Sequence, residues 1–183
     1  MKHLKFQELV EEKKVITVTP KYPPYDTCMG FALGASEEMV LLHEIVEFHL
    51  AGYSVMPLYE IRSVRSKKAE RMVERIFEGE GLMKKVGLEE MPPLSDWPDL
   101  FQWFRRAGRL VQVEFFETPE PGFSDEAFAV GKITGLSSRS VAVLNFDPSG
   151  NWDSEATVIS YDNIKRVRFE TEYINVFAKY LGK

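Results

Sequence analysis

The sequence predicts a mainly β protein of the α+β class, in which two small closed β-barrels follow each other along the chain. Three observations predict this fold. Two stretches of the sequence repeat each other, each repeat contains about five short strand-like segments, and an amphipathic helix stands at both ends of each repeat. We expect closed barrels because closure removes the sheet edges that such short strands would otherwise expose.

The repeat is clearest in the middle of each unit. Residues 30–42, GFALGASEEMVLL, align without a gap on residues 131–143, GKITGLSSRSVAV. Shorter matches in the same order flank this block, which indicates a tandem duplication. Glycine and proline residues between the repeats mark the connection. The predicted division is a first unit at 1–80, a linker at 81–96 and a second unit at 97–183.

Each unit opens and closes with a predicted helix whose apolar residues share one face. The opening helices carry Phe6, Leu9 and Val10 in the first unit, and Leu100, Phe101 and Phe104 in the second. The closing helices carry Ala69, Met72, Val73, Ile76 and Phe77, and then Tyr173, Val176, Phe177, Tyr180 and Leu181. Ser95 or Asp96 is expected to cap the opening helix of the second unit.

The segments between the helices are short and apolar, which predicts strands. In the first unit the predicted strands are 15–18, 29–33, 39–48 and 55–58, with a last strand from Ile61. In the second unit they are 110–116, 128–134, 139–146 and 157–160, with a last strand from Ile164. A polar single turn is expected before each last strand. Asp147-Pro148-Ser149-Gly150 has the composition of a type I turn, and Ala51-Gly52 is expected to form the equivalent bend.

One helix and five short strands, with a one-turn break before the fifth, resemble the Sm-like family of small SH3-type barrels. Gly30 and Met39 fit the family's pattern, and Gly131 alone fits it in the second unit. The family contacts RNA bases through an Asn, whereas Val40 and Val141 stand at that position here and cannot hydrogen-bond a base. The resemblance therefore implies the fold and, by analogy, assembly through strand edges. It does not imply the family's RNA pocket.

Two further departures from the family concern charge. Its Asp position holds Ser36 and Ser137, and its Arg-Gly pair is replaced by Tyr59-Glu60 and Tyr161-Asp162. A carboxylate repels phosphate where arginine would attract it. The formal net charge of −5 and the pI near 5.4 also exclude a continuous basic surface of the kind that binds nucleic acids.

The sequence contains no recognisable catalytic motif. His43 and His49 are six residues apart, so strand alternation would put both on one face, but the repeat has Leu144 where His43 stands, which favours packing over metal binding. Cys28 is interpreted as a small packed residue, because the second unit has alanines in that region. We therefore expect a protein that is not an enzyme and holds no metal and no cofactor.

A cytoplasmic location is expected from three features. A single cysteine cannot form an internal disulfide, which favours a reducing compartment. The N-terminus lacks the apolar core of a signal peptide. No apolar run approaches the roughly 20 residues that span a bilayer, so a membrane partner is not expected.

Two functions are weighed from these residues. The first is a non-catalytic interaction module that engages a protein partner or self-assembles into a homo-oligomer. The alternative is an RNA-binding protein of Sm-like descent with a degenerate RNA site, in which Trp152 and Tyr161 would stack on bases. The candidate partner-binding residues are Tyr59, Glu60, Trp152, Tyr161, Asp162, Asn163, Lys165 and Arg166.

Overall fold

The computed structural model describes residues 2–21, 26–117 and 126–181. Within these residues four α-helices lie at Lys2–Glu11 (α1), Lys68–Gly79 (α2), Trp97–Arg106 (α3) and Glu172–Phe177 (α4). Ten strands lie there at Val15–Pro20 (β1), Cys28–Ala35 (β2), Met39–Val46 (β3), His49–Pro57 (β4), Ile61–Arg65 (β5), Val111–Phe116 (β6), Glu126–Leu136 (β7), Ser140–Asn145 (β8), Thr157–Ser160 (β9) and Ile164–Phe169 (β10). Single 3-10 turns at Leu58–Glu60 and Tyr161–Asn163 precede β5 and β10. No helix in the described ranges has the length and apolar character needed to cross a membrane.

The chain is mixed α+β, but the expectation of two tandem Sm-like or SH3-type closed barrels is wrong. In each unit the five described strands form an open antiparallel sheet. Among the described strands β5 does not pair with β4, and β9 does not pair with β10, so neither set of five closes on itself. The expectation assumed that closure protects short strands, whereas helices and loops can also cover a sheet.

The chain divides into two compact units, Met1–Ser95 and Asp96–Lys183. The strand order is β5-β1-β2-β3-β4 in the first unit and β10-β6-β7-β8-β9 in the second, so each strand has a counterpart. Residues 81–95 belong to the first unit.

The two units also share an irregularity of strand pairing. β2 and β3 pair with a bulge between Ala32 and Gly34, and β7 and β8 pair with a bulge between Ile133 and Gly135. The sequence repeat aligns these bulges on each other. The proposed duplication is therefore supported by backbone geometry as well as by residue identity.

The sheet of the first unit has a helix on each face. We call the face under α1 the inner face and the face under α2 the outer face. The inner core consists of Phe6, Ile16, Val18, Cys28, Ala32, Val40, Leu42, Met56, Leu58 and Ile61. The outer core consists of Val15, Phe31, Ile45, Val73 and Phe77. Phe31 and Phe77 meet edge to face with centroids 5.2 Å apart, which joins the sheet to α2.

Helix α2 begins at a buried carboxylate. Glu70 accepts hydrogen bonds from the Thr17 hydroxyl at 2.6 Å, from Arg65 Nε at 2.8 Å and from the Lys67 N–H at 2.8 Å. Burial raises the pKa of Glu70, but these hydrogen bonds outweigh it and lower the pKa to about 2. The network joins the start of α2 to β1 and β5.

In the second unit α3 and α4 take the places of α1 and α2. Helix α3 packs on β7 and β8 with Leu100, Phe101 and Phe104 fully buried, and we call this face the inner face. The outer face carries α4, whose Ile174 packs with Val130 and Phe146. The expected cap of α3 is confirmed at Asp96, whose side chain accepts the N–H of Asp99 at 2.8 Å.

The predicted strand 39–48 is wrong beyond Val46. Glu47 and Phe48 have φ values of 48° and 63°, and they turn the chain so that Val46 faces His49 on β4. Two-residue hairpin turns with positive φ are usually made by Asn or Gly, so this Glu-Phe pair has no turn signal in the sequence. The two histidines considered as a pair on one strand therefore lie on different strands.

Of the two predicted bends, one is confirmed. The N–H of Gly150 donates to the carbonyl of Asp147 at 2.9 Å and closes the expected turn. Ala51-Gly52 lies inside β4 instead. Gly52 has a φ of 93°, so it distorts the strand without ending it.

Candidate functional site

The chain that follows α2 lies against the outer face of the first unit. We call residues 82–94 the covering segment. Its first part packs on the outer core through Leu82, Met83 and Val86. The covering segment thus extends the layer that α2 begins.

The middle of the covering segment is held by two aromatic side chains. The Tyr53 hydroxyl donates to the carbonyl of Gly87 at 2.6 Å, and the N–H of Gly87 donates to Nδ1 of His43 at 3.4 Å. The two rings stack with centroids 4.3 Å apart. Burial lowers the pKa of His43 to about 4, so the imidazole is neutral at pH 7 and Nδ1 can accept.

The end of the covering segment lies over Gly34. A Cβ atom on Gly34 would be 2.9 Å from Met91 Cε and 3.1 Å from Leu94 Cδ1, so the missing side chain makes room for both. The Ser36 hydroxyl donates to the carbonyl of Leu94 at 2.6 Å. Ser36 Oγ also accepts two backbone N–H groups of its own turn, at 3.0 and 2.9 Å, which orients the hydroxyl.

Three residues lie side by side across the strands at this end. Gly34 on β2 is opposite Leu41 on β3, which is opposite Val55 on β4. Directly opposed residues share a face of the sheet, and we call these three the first row. Leu41 and Val55 have no exposed surface. The first row is therefore a fully enclosed part of the outer face.

The second unit has an equivalent row that is open. Gly135 is opposite Ala142, which is opposite Val158 on β9, and we call these three the second row. Val158 is 68% exposed. Among the described residues, a Cβ atom on Gly135 would come within 4 Å only of the Ala142 Cβ, at 3.3 Å. No described residue thus covers Gly135 as Met91 and Leu94 cover Gly34.

Ser137 stands where the repeat places Ser36, and it forms the same turn. Its Oγ accepts the N–H groups of Arg139 at 3.1 Å and Ser140 at 2.9 Å. The Ser140 hydroxyl lies 2.8 Å from it. Because Ser137 is exposed, its hydroxyl can turn to an incoming carbonyl, as Ser36 does to the carbonyl of Leu94.

An aromatic cluster lies beside α4 in the second unit. Trp152 meets Phe146 edge to face at 5.9 Å, and Lys132 Nζ lies 4.4 Å from the centre of the Trp152 ring. Tyr173 of α4 stacks on Phe146 with centroids 6.2 Å apart, and its ring is tilted by 35° against Phe177 at 4.6 Å. Of the predicted contact residues, Trp152 therefore lies in a partly exposed aromatic platform with a positive charge above it.

Other predicted contact residues make internal contacts in the second unit. Lys165 forms an ion pair with Glu126. Arg166 donates two hydrogen bonds to Glu114, at 2.8 and 3.0 Å. Tyr161 is buried against α3. Lys165 and Arg166, which were expected to contact a partner, are therefore both paired with carboxylates of the same unit.

The remaining predicted residues lie on the two 3-10 turns. In the first unit Tyr59 is exposed and Glu60 is buried. In the second unit Asp162 is exposed and Asn163 is half-buried. Within the second unit the predicted residues therefore occupy separate environments, with Trp152 beside α4 and the others around the 3-10 turn and β10.

Cys28 belongs to a buried polar cluster on the inner face of the first unit. Its Sγ donates to Glu44 Oε1 at 3.3 Å and lies 4.0 Å from Ser54 Oγ. The second unit places Asn145 and Thr157 at the corresponding strand positions, joined by a 2.9 Å hydrogen bond. Polar pairs at the same place in both units indicate a structural role.

The part of the chain that the structure describes has no group of three or more His, Cys, Asp or Glu residues able to hold a metal ion.

The second row cannot be recognised in the sequence without knowledge of the covering segment. Its residues are a glycine, an alanine and a valine, which are ordinary for strands. The one available signal is the repeat, which aligns the larger Leu41 with Ala142.

Comparison with models of known protein families, with curated proteins and with solved structures finds no match to this chain.

Proposed function

We propose that this chain is a non-catalytic interaction module that binds a protein partner at the second row. The observation that carries the proposal is the contrast between two equivalent valines. Val55 is fully buried in the first unit, whereas Val158 is 68% exposed in the second. Covering such an apolar side chain is favourable, and in the first unit Met91 and Leu94 cover the row at Gly34.

The position of β9 favours a protein ligand. β9 is an outermost strand, with β8 as its one neighbour among the described strands. Alternate backbone N–H and C=O groups of an edge strand point away from its neighbour. An extended polypeptide can pair with these groups while its side chains cover the second row.

Site-specific photo-crosslinking tests this function. A photoreactive residue at position 158 is compared with one at Glu78, an exposed position on α2. We expect a protein adduct at 158 that is absent at 78. The purified partner should then bind the Val158→Asp variant at least about tenfold more weakly, because the variant places a charge against an apolar contact.

Two results of the crosslinking experiment would contradict the proposal. Equal adducts at positions 158 and 78 would reject the proposal, as would a partner that binds Val158→Asp as tightly as the unaltered chain. An adduct that contains two copies of this chain would identify self-association, which light scattering would check as a doubled mass.

RNA binding remains the second candidate, favoured by Lys132 above the Trp152 ring. Aromatic rings and cations of this kind stack on single-stranded bases and contact phosphates. Fluorescence anisotropy with poly-U, poly-A and single-stranded DNA tests it at low and near-physiological salt. Binding that weakens with salt and is lost in Trp152→Ala would support RNA, and no binding at low salt would reject it.

A further inference from the structure

We infer that the second row binds an extended, proline-containing apolar segment of a partner protein, of the kind that the covering segment presents to the first row. This inference rests on the proposed function and specifies the ligand. The covering segment ends in Met91-Pro92-Pro93-Leu94. Two consecutive prolines favour an extended backbone that needs few hydrogen bonds from its neighbours.

The first row shows how such a segment is recognised. Met91 and Leu94 lie over Gly34, where no side chain obstructs them. The Leu94 carbonyl receives the hydroxyl of Ser36 at 2.6 Å. Recognition thus combines an apolar contact over a glycine with one hydrogen bond to the backbone of the segment.

The second unit repeats both elements. Gly135 aligns with Gly34 and has no covering side chain in the part of the chain that the structure describes, and Ser137 aligns with Ser36 and is exposed. The turn of Ser137 has the same two backbone hydrogen bonds to the serine Oγ. A bound segment would therefore place its apolar side chains over Gly135 and one carbonyl at the Ser137 hydroxyl.

Two substitutions between the rows predict how the ligands differ. Ala142 replaces Leu41, so the second row leaves more space above its middle strand and suits a larger apolar side chain. Leu144 replaces His43, so a ligand there meets an apolar surface where the covering segment meets an imidazole.

Charge at the turn adds a third difference. Exposed Arg139 stands where the first unit has exposed Glu38. The turn lies at the end of the row where the covering segment leaves, since Ser36 binds Leu94. A partner segment with an acidic residue after its leucine would therefore be favoured at the second row.

A labelled synthetic peptide tests this inference on the full chain. The probe has the sequence of residues 86–96, VGLEEMPPLSD, which already ends in an acidic residue. We expect saturable binding by fluorescence anisotropy. A second peptide with phenylalanine in place of the methionine should bind more tightly, by about threefold, because it fills the space above Ala142.

Three protein variants locate the binding. Val158→Asp and Gly135→Leu should each weaken peptide binding by about tenfold or more, the first through charge and the second by filling the space over the glycine. Phe128→Ser is the matched control, because Phe128 is also 68% exposed on a strand of the second unit but lies outside the second row. It should bind the peptide like the unaltered chain. Thermal unfolding checks that each variant is folded.

The outcomes separate the inference from the proposed function. Absence of binding up to about 1 mM peptide would overturn the inference, as would equal losses in Val158→Asp and Phe128→Ser. A protein adduct at position 158 without peptide binding would leave the proposed function standing and reject the proline-containing ligand. Peptide binding that Val158→Asp abolishes would support both.

Discussion

The hydroxyl of Thr17 on β1 donates a 2.6 Å hydrogen bond to the carboxylate of Glu70 on α2, whose side chain has no exposed surface. The same carboxylate also binds Arg65 and the backbone of Lys67. A buried carboxylate is costly unless its acceptor sites are filled. Here they are filled by groups that hold α2 on the sheet.

Replacement of Glu70 should therefore be strongly destabilising. We expect Glu70→Ala to lower the free energy of unfolding by about 3 kcal/mol, since it leaves the buried Thr17 hydroxyl and the Lys67 N–H without their acceptor. Urea denaturation measures the change. Glu78→Ala, on the exposed side of α2, should stay within about 0.5 kcal/mol. Equal effects of the two variants would contradict the structural role of the network.

Acidification should release the covering segment through His43. The pKa of His43 is about 4 in the folded protein and has an ordinary value of 6.5. Because the folded pKa is lower, the stability it contributes is present above pH 6.5 and is lost as the pH falls toward 4. Protonation also puts a proton on Nδ1, which accepts the N–H of Gly87. The protection factor of the Gly87 amide, which compares its exchange rate with that of the unfolded chain at the same pH, should therefore fall over this pH range.

His43→Leu provides the control, because the repeat has Leu144 at the same position. This variant should show a flatter dependence of stability on pH between 4 and 6.5. If its pH profile were the same as that of the unaltered chain, another group would be responsible for the acid sensitivity.

Two corresponding glycines should not tolerate a side chain. A Cβ atom on Gly30 would lie 2.5 Å from the carbonyl oxygen of His43, and one on Gly131 would collide with the carbonyl of Leu144. These contacts are with backbone, so relief requires the strands to separate. We expect Gly30→Ala and Gly131→Ala to lower the unfolding free energy by about 2 kcal/mol or more. Gly79→Ala, at a helix end with open space around it, should be neutral or slightly stabilising in the same chemical denaturation.

The same valine-to-alanine substitution should reduce stability by different amounts in the two rows. Val55→Ala should destabilise the protein by about 2 kcal/mol, because Val55 is fully buried. Val158→Ala should change stability by less than about 0.5 kcal/mol, because Val158 is largely exposed. Thermal unfolding of the two variants measures the difference. A similar loss in both would show that the second row is also covered in solution.

Local features of the molecule follow from its sequence. The cap at Asp96 and the turn closed by Gly150 are predicted correctly, because their hydrogen bonds join residues only three apart. The prediction that β3 continues through Glu47 and Phe48 is wrong, and the reason is also local. Their positive φ values are imposed by the β3–β4 pairing on residues that do not normally favour them.

Among the candidate contact residues, the sequence identified side-chain types but not their surroundings. Trp152 is suited to stacking and does lie in a partly exposed platform. Lys165 and Arg166 are suited to contacting phosphate, yet Glu126 and Glu114 engage them. Those carboxylates are distant in the chain, so strand pairing decides the contact.

The sequence by itself determined the repeat, the order of helices and strands, and the equivalence of Gly34 with Gly135. Only the tertiary structure decided that the strands of each unit form an open sheet and that Met91 and Leu94 cover Gly34. The physical reason is that apolar periodicity and turn chemistry act over a few residues. Strand neighbours and the exposure of Val158 depend on contacts between residues far apart in the chain.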